Sequence, residues 1–311
     1  MKITEQWCKD TLGAVAPAGP LPKDYTAVEL ACHWVYHNIE NPQQWFEAQV
    51  VAPHRRYVEK RRKEYGAVRQ PYHLMLDIWN KGEYGKPSKG YNGDGNLLQK
   101  MYDCLSVPDF DRDGLPQATH IKSLWDHYVC ACPEMLSLQF RRGMFETAVR
   151  HYISQGARSW LDLGCGNGSY TQYAYDTMSK ALGEACGPIV GVDNDLQTDR
   201  LGPLFMKMNV LRELPVGPFD VVYSGGLFDY FNDKIFRYML DRICELKPKF
   251  IMIGNIDQTP HTKSFMGCMD WKLVDRARFD LLELTMNKFG ASQVSVETDI
   301  TGCQHFLKIK L

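Results

Sequence analysis

Ser159-Trp160-Leu161-Asp162-Leu163-Gly164-Cys165-Gly166-Asn167-Gly168-Ser169 is the stretch whose reading decides the fold. A short apolar run leads into three glycines spaced G-x-G-x-G, and a segment with helical patterning follows. Glycine suits such a turn because the backbone must bend tightly and admit a ligand where a Cβ would obstruct it. A glycine-rich turn carries little on its own; a strand before it and a helix after it give it weight. A second apolar run, 188–193, ends in Asp193. A carboxylate at such a strand end accepts hydrogen bonds from both ribose hydroxyls of a nucleoside. The third glycine follows the second by two residues, whereas a dinucleotide-binding turn spaces them by three.

Leu161-Asp162-Leu163-Gly164-Cys165-Gly166-Asn167-Gly168 resembles the first motif of class I S-adenosylmethionine (SAM) methyltransferases, and Val190-Gly191-Val192-Asp193 resembles their second. The resemblance implies an α/β fold, a Rossmann-like seven-stranded sheet, with SAM as cofactor. Strands are predicted at 159–163, 188–193, 205–210, 219–224 and 250–255, with helices at 169–182, 233–246 and 270–289. A closing hairpin, 293–298 and 305–310, fits the antiparallel last strand of that fold. Alternating strands and helices imply a parallel sheet. From Gly164 to Asp193 the chain is longer than the ~20 residues of the dinucleotide version, and 182–187 absorbs the excess.

Ligands of an open parallel sheet bind past the carboxyl ends of its strands. The resemblance therefore assigns Gly164, Cys165, Gly166 and Gly168 to the methionine part of SAM, with Asp162 fixing the turn and approaching the ammonium. Asp193 and Asn194 go to the ribose, Asn209 and Val210 to the adenine, and Gly225 to the sulfonium. Near the methyl group the candidates are Asp229, Tyr230 and Asn255, in catalytic roles. Asp257, Trp271 and Arg276, with Tyr128 and Arg142 from upstream, are expected to hold the acceptor. An arginine holds a carboxylate by paired N–H bonds, and aromatic walls suit a cationic product.

Tyr223-Ser224-Gly225-Gly226-Leu227-Phe228-Asp229-Tyr230, Gly254-Asn255 and the run 270–276 also resemble motifs of the bacterial methyltransferases that make 3-hydroxy fatty acid methyl ester signals. Cys132-Pro133 and Arg141-Arg142 extend that likeness, which covers about residues 121–311. It favours O-methylation of a carboxylate or hydroxy acid. An amine or thioether acceptor, and a SAM-binding protein without transferase activity, are the alternatives.

Residues 1–120 read differently: aromatic, charged and helically patterned, a helical substrate or lid domain before a SAM-binding domain at 121–311. In the run 26–39, Val28, Leu30, Ala31, Trp34, Val35 and Tyr36 make a broad apolar stripe. The Gly-, Lys- and Asn-rich loop 81–96 has too few apolar residues to pack by itself. The N-terminal helices suit a lid, the interface of a homodimer, or both. His33 and His37 have metal-ligand spacing, but Trp34 stands where a metalloprotease needs Glu. Asp109-Phe110-Asp111-Arg112-Asp113-Gly114 opens like a calcium loop, and His120 occupies the closing Glu position. No metal is expected. The basic run 55–63 is interleaved with Glu59 and reads as a solvated face.

The chain has 311 residues with 44% hydrophobic content, enough for a large core. A net charge of -1 gives no push toward nucleic acid or membrane, and the expected partner is a small-molecule substrate. No run of about 18 apolar residues suggests a transmembrane helix. The N-terminal sequence lacks the apolar core of a signal peptide. The ten cysteines show no paired C-x-x-C spacing, which points to reduced thiols in the cytoplasm.

Overall fold

The computed structural model describes residues 133–196, 198–257 and 272–311. These fall within one compact unit of the chain. Helix α1 (Pro133–Ser154) leads into strand β1 (Trp160–Leu163) and helix α2 (Ser169–Leu182). Then come β2 (Ile189–Asp193), β3 (Leu204–Lys207), β4 (Val221–Ser224), helix α3 (Asp233–Glu245) and β5 (Phe250–Ile256). Helix α4 (Arg278–Met286) precedes the hairpin of β6 (Val294–Thr298) and β7 (Gln304–Lys310).

The seven strands form one sheet in the order β3-β2-β1-β4-β5-β7-β6. β1 to β5 are parallel, while β7 runs antiparallel to β5 and β6 antiparallel to β7. This is the Rossmann-like sheet of class I methyltransferases. The chain order reverses at β1, with β2 on one side and β4 on the other, so the switch point lies where β1 ends.

Alternation along each strand sends side chains to two cores, one on each face. On one face Trp160, Tyr223, Met252 and Phe306 meet Phe145, Val149, Ala174 and Met178 of α1 and α2. Phe145 lies edge-on to Trp160, with centroids 5.5 Å apart, and tilts against Tyr223 at 4.6 Å. On the other face Leu161, Leu163, Val222, Ile251 and Leu307 meet Phe236, Met239 and Leu240 of α3 and Leu281 of α4. Fully burying one such side chain contributes about 1.5–3 kcal/mol, so the two faces supply most of the driving force for this layered architecture.

Three segments depart from the periodicity. The strand predicted at 205–210 is Leu204–Lys207, because its partner β2 ends at Asp193; the pairing stops at Asp193↔Lys207. The excess length before β2 is taken up by a single 3-10 turn, Gly183–Ala185. The helix predicted at 270–289 begins at Arg278. Ahead of it the backbone hydrogen-bonds to other elements instead of to itself: Val274 N donates to Asp229 O, and Arg276 N to Ile256 O. Asp280 Oδ2 then accepts from Ala277 N and starts the helix.

Candidate functional site

The loop after β1 is folded back onto the end of β2. Gly164 N and Cys165 N both donate to Val192 O, at 2.8 and 3.1 Å. Gly164, Gly166 and Gly168 have φ of 76, 56 and 75°, a left-handed conformation that side chains resist. A Cβ on Gly164 would stand 2.8 Å from Leu227 Cβ, and one on Gly168 would stand 2.6 Å from the Phe205 ring. Two of the three glycines thus have their reason in backbone conformation and neighbouring side chains, not in space reserved for a ligand. Gly168 caps α2.

Asp193, half-buried at the end of β2, ties the turn to the sheet: Gly166 N donates to its Oδ2 at 2.9 Å, and Asp195 N to its Oδ1 at 2.8 Å. Asn194 is exposed beside it. Asp162 is 1% exposed and accepts from Thr171 Oγ1 at 2.7 Å. Burial pushes its carboxyl up to about 7; the Thr171 hydroxyl opposes the shift, Asp193 adds to it and Arg141 opposes it. Burial also pushes the Cys165 thiol up, with Asp162 and Asp193 adding to the effect, so that side chain is a neutral packing group. Asn209 lies beyond β3, where its Oδ1 accepts from Leu211 N in an Asx turn. Val210 is buried, and its carbonyl accepts from Arg242.

At the ends of β4 and β5 the side chains are committed to each other. A Cβ on Gly254 would lie 2.4 Å from Gly225 O, so the two strands meet with no room for side chains. The same Gly225 carbonyl accepts from Arg141 Nη1 at 3.2 Å. Asp229 sits in a 3-10 turn, Leu227–Tyr230, and its Oδ1 accepts from Ile256 N at 2.8 Å. Burial pushes its carboxyl up to about 7, opposed by the Ile256 amide, Arg141 and Arg276. Tyr230, at the end of that turn, is 42% exposed. The Ser224 hydroxyl, at the end of β4, is buried with no hydrogen-bond partner among the described residues.

Asn255 is fully buried; its Nδ2 donates to Ile256 O and Val274 O, and its Oδ1 accepts from Arg276. Arg276 spends its guanidinium on Phe228 O, Asn255 Oδ1, Phe231 O and Asp233 Oδ1. It also lies over the Phe236 ring at 4.9 Å. The arginine expected as an acceptor clamp instead staples the β4 loop to β5 and α3. Arg142 is also displaced from that role: it points outward along α1 and pairs with Glu146 at 3.1 Å. Its neighbour Arg141, only 6% exposed, is the arginine that faces inward.

Asp257 follows β5, half-buried, with Oδ2 3.4 Å from His305 Nε2; Thr298 Oγ1 lies 2.8 Å from His305 Nδ1. With Nε2–H donating to the carboxylate, Nδ1 accepts from the Thr298 hydroxyl. Arg141 belongs to the Arg141-Arg142 pair of the sequence likeness, whereas His305 lies in none of the motifs. Tyr128, Trp271, His33, His37 and the 109–114 turn lie outside the described residues. Among the described residues no cluster of three or more His, Cys, Asp or Glu can hold a metal ion. No helix there is long and apolar enough to cross a membrane.

No family model and no curated protein sequence matches the chain. A crystal structure of a possible exported protein from Bordetella parapertussis is similar in fold, with a TM-score of 0.54 and 14% identity over 85% of this chain and 96% of that one. Magnesium protoporphyrin IX methyltransferase from Synechocystis, with bound SAH, superposes at 0.41, with 12% identity over 57% of this chain and 87% of that one. Human N-acetylserotonin methyltransferase, in complex with SAM, superposes at 0.40, with 13% identity over 72% and 69%. At these identities the likeness extends to the fold alone. The strand order, with its antiparallel β7, carries the assignment to the class I methyltransferase architecture.

Proposed function

We propose that the protein is a SAM-dependent methyltransferase acting on a small-molecule metabolite. One observation carries the reading: a left-handed glycine turn at the switch point whose Gly166 amide is hydrogen-bonded to the strand-end acid Asp193. That arrangement puts a tight glycine turn and a carboxylate where a nucleoside is held at the carboxyl edge of a parallel sheet. SAM would lie along Gly164–Gly168, with its ribose at Asp193 and Asn194, its adenine toward Asn209 and Val210, and its sulfonium toward Gly225.

Methyl transfer then needs alignment more than covalent help. The acceptor's lone pair forms a bond to the methyl carbon, the carbon–sulfur bond breaks, and its electron pair stays on sulfur. A hydroxyl acceptor must also lose a proton. Asp229, whose carboxyl ionises at about 7, is the candidate proton acceptor, with Tyr230 and Asp257 at the exposed rim. Asn255 and Arg276 act by holding the β4 loop in place. The likeness of 223–230 and 254–255 to methyltransferases of 3-hydroxy fatty acids favours a carboxylate or hydroxy acid acceptor. An amine or thioether acceptor is the second reading. On this account residues 1–120 form the substrate or lid domain and residues 121–311 the SAM-binding domain. Cys165, Cys186 and Cys244 are free thiols, which supports a cytoplasmic setting.

The test is incubation with SAM labelled in its methyl group and a metabolite extract. The expected result is label on oxygen, in the methyl ester or methyl ether of a small acid. Label that stays on SAM while SAM binds favours a non-catalytic SAM-binding protein, and label on an amine or sulfur favours the second reading.

A further inference from the structure

Two buried carboxyls stand at the carboxyl ends of hydrogen-bonded neighbours: Asp162 on β1 is 1% exposed, and Asp229, just past β4, is 5% exposed. One buried guanidinium, Arg141 of α1, is anchored at Gly225 O and acts electrostatically on both acids. Gly226 keeps the second acid and the arginine close together: a Cβ there would lie 3.1 Å from Arg141 Nη1 and 3.3 Å from Asp229 Oδ2. This buried set therefore holds two acids against one cation.

The surrounding groups leave that balance uneven. Asp162 faces the Thr171 hydroxyl from α2, the Asp193 carboxylate from β2 and the Cys165 thiol from its own loop. Asp229 faces the Ile256 amide from β5 and Arg276 from the segment before α4. Arg276 already carries an ion pair with Asp233 at 2.9 Å. A buried carboxylate without a full countercharge takes up a proton instead.

SAM brings the missing charge. Its ammonium and carboxylate cancel, and its sulfonium remains; the demethylated product has no sulfonium. We propose that the Asp162–Arg141–Asp229 set couples cofactor binding to proton release, and so separates methyl-bearing SAM from its demethylated product. The inference rests on the methyltransferase reading above and deepens it. In the binding step a neutral carboxyl gives its proton to solvent, and the carboxylate left behind compensates the incoming sulfonium. Because both carboxyls ionise at about 7, the exchange falls in the neutral range. Product would then leave more readily than SAM as the carboxyl takes its proton back, and Arg141 tunes how many protons are exchanged.

Calorimetric titration of the full chain with SAM and with its demethylated product, in buffers of different ionisation enthalpy, counts the protons. At pH 7 SAM should release more protons than the product. The α-amino group is common to both ligands and cancels in that difference. SAM should bind about tenfold tighter at pH 8 than at pH 6 for each acid that must ionise, with a flatter profile for the product. Asp229→Asn should shrink the difference in proton count, and Arg141→Met should enlarge it. Equal proton counts for the two ligands in the unaltered protein would overturn the proposal, as would a difference unmoved in Asp229→Asn. Binding of neither ligand would remove the cofactor reading itself, and this inference with it.

Discussion

The ends of β1 and β2 and the ends of β4 and β5 lie on the same edge of the sheet but are built in opposite ways. At β1 and β2 the interactions are local: three glycines within five residues and one acid whose oxygens bind nearby backbone amides. At β4 and β5 they are long-range: Arg276 reaches Phe228, Phe231, Asp233 and Asn255, and Asp229 reaches Ile256. Strand-end polar residues at β1 and β2 tie the turn to its own neighbourhood; those at β4 and β5 brace loops drawn from distant parts of the chain. On the proposed reading the first set borders the cofactor and the second shapes the acceptor's space.

Breaking the brace tests this most severely. Arg276→Met should cost about 3–5 kcal/mol in urea unfolding, since it strands buried carbonyls and the Asn255 amide. A loss below 1 kcal/mol would return Arg276 to the acceptor site. Asp162 sharpens the contrast through pH. Its carboxyl ionises near 3.8 in the unfolded chain and at about 7 in the fold, so the fold holds the extra proton between those values and loses stability as pH rises through them. Asp162→Asn should escape that loss, gaining about 2–3 kcal/mol relative to the parent between pH 5 and pH 8. A pH-independent difference between the two would contradict the burial argument.

Gly164→Ala should cost about 1–2 kcal/mol for the left-handed backbone, and more from the contact with Leu227. Adding Leu227→Ala should recover little of the second part, because Leu227 Cβ, the nearest atom, remains. The smallest effect is expected at Arg142→Ala: within about 0.5 kcal/mol, because its pair with Glu146 is exposed.

The same contrast explains what could be read from the sequence. The glycine turn, Asp193 and the alternation of strands and helices are short-range patterns, and they led to the sheet and to the turn at its switch point. The start of α4 was misplaced because Val274 and Arg276 bond to β5 and to the β4 loop, partners 20 or more residues away, which override local helix preference. The choice between Arg141 and Arg142 was nevertheless legible. Ser137, Arg141, Phe145, Val149 and Tyr152 recur at three- and four-residue steps and make the buried stripe of α1. Arg142 falls one position off it. His305 had no such signal, since its place beside Asp257 depends on the antiparallel register Asn255↔His305.

The central claim is that Asp193 and the glycine turn hold SAM. Equilibrium binding of SAM to the parent protein and to Asp193→Ala tests it most directly. Losing hydrogen bonds to a charged group costs about 1.5–3 kcal/mol, so the variant should bind SAM about 10- to 100-fold more weakly. Its unfolding should remain cooperative. Equal affinity in the two proteins, or no SAM binding by the parent, would contradict the account.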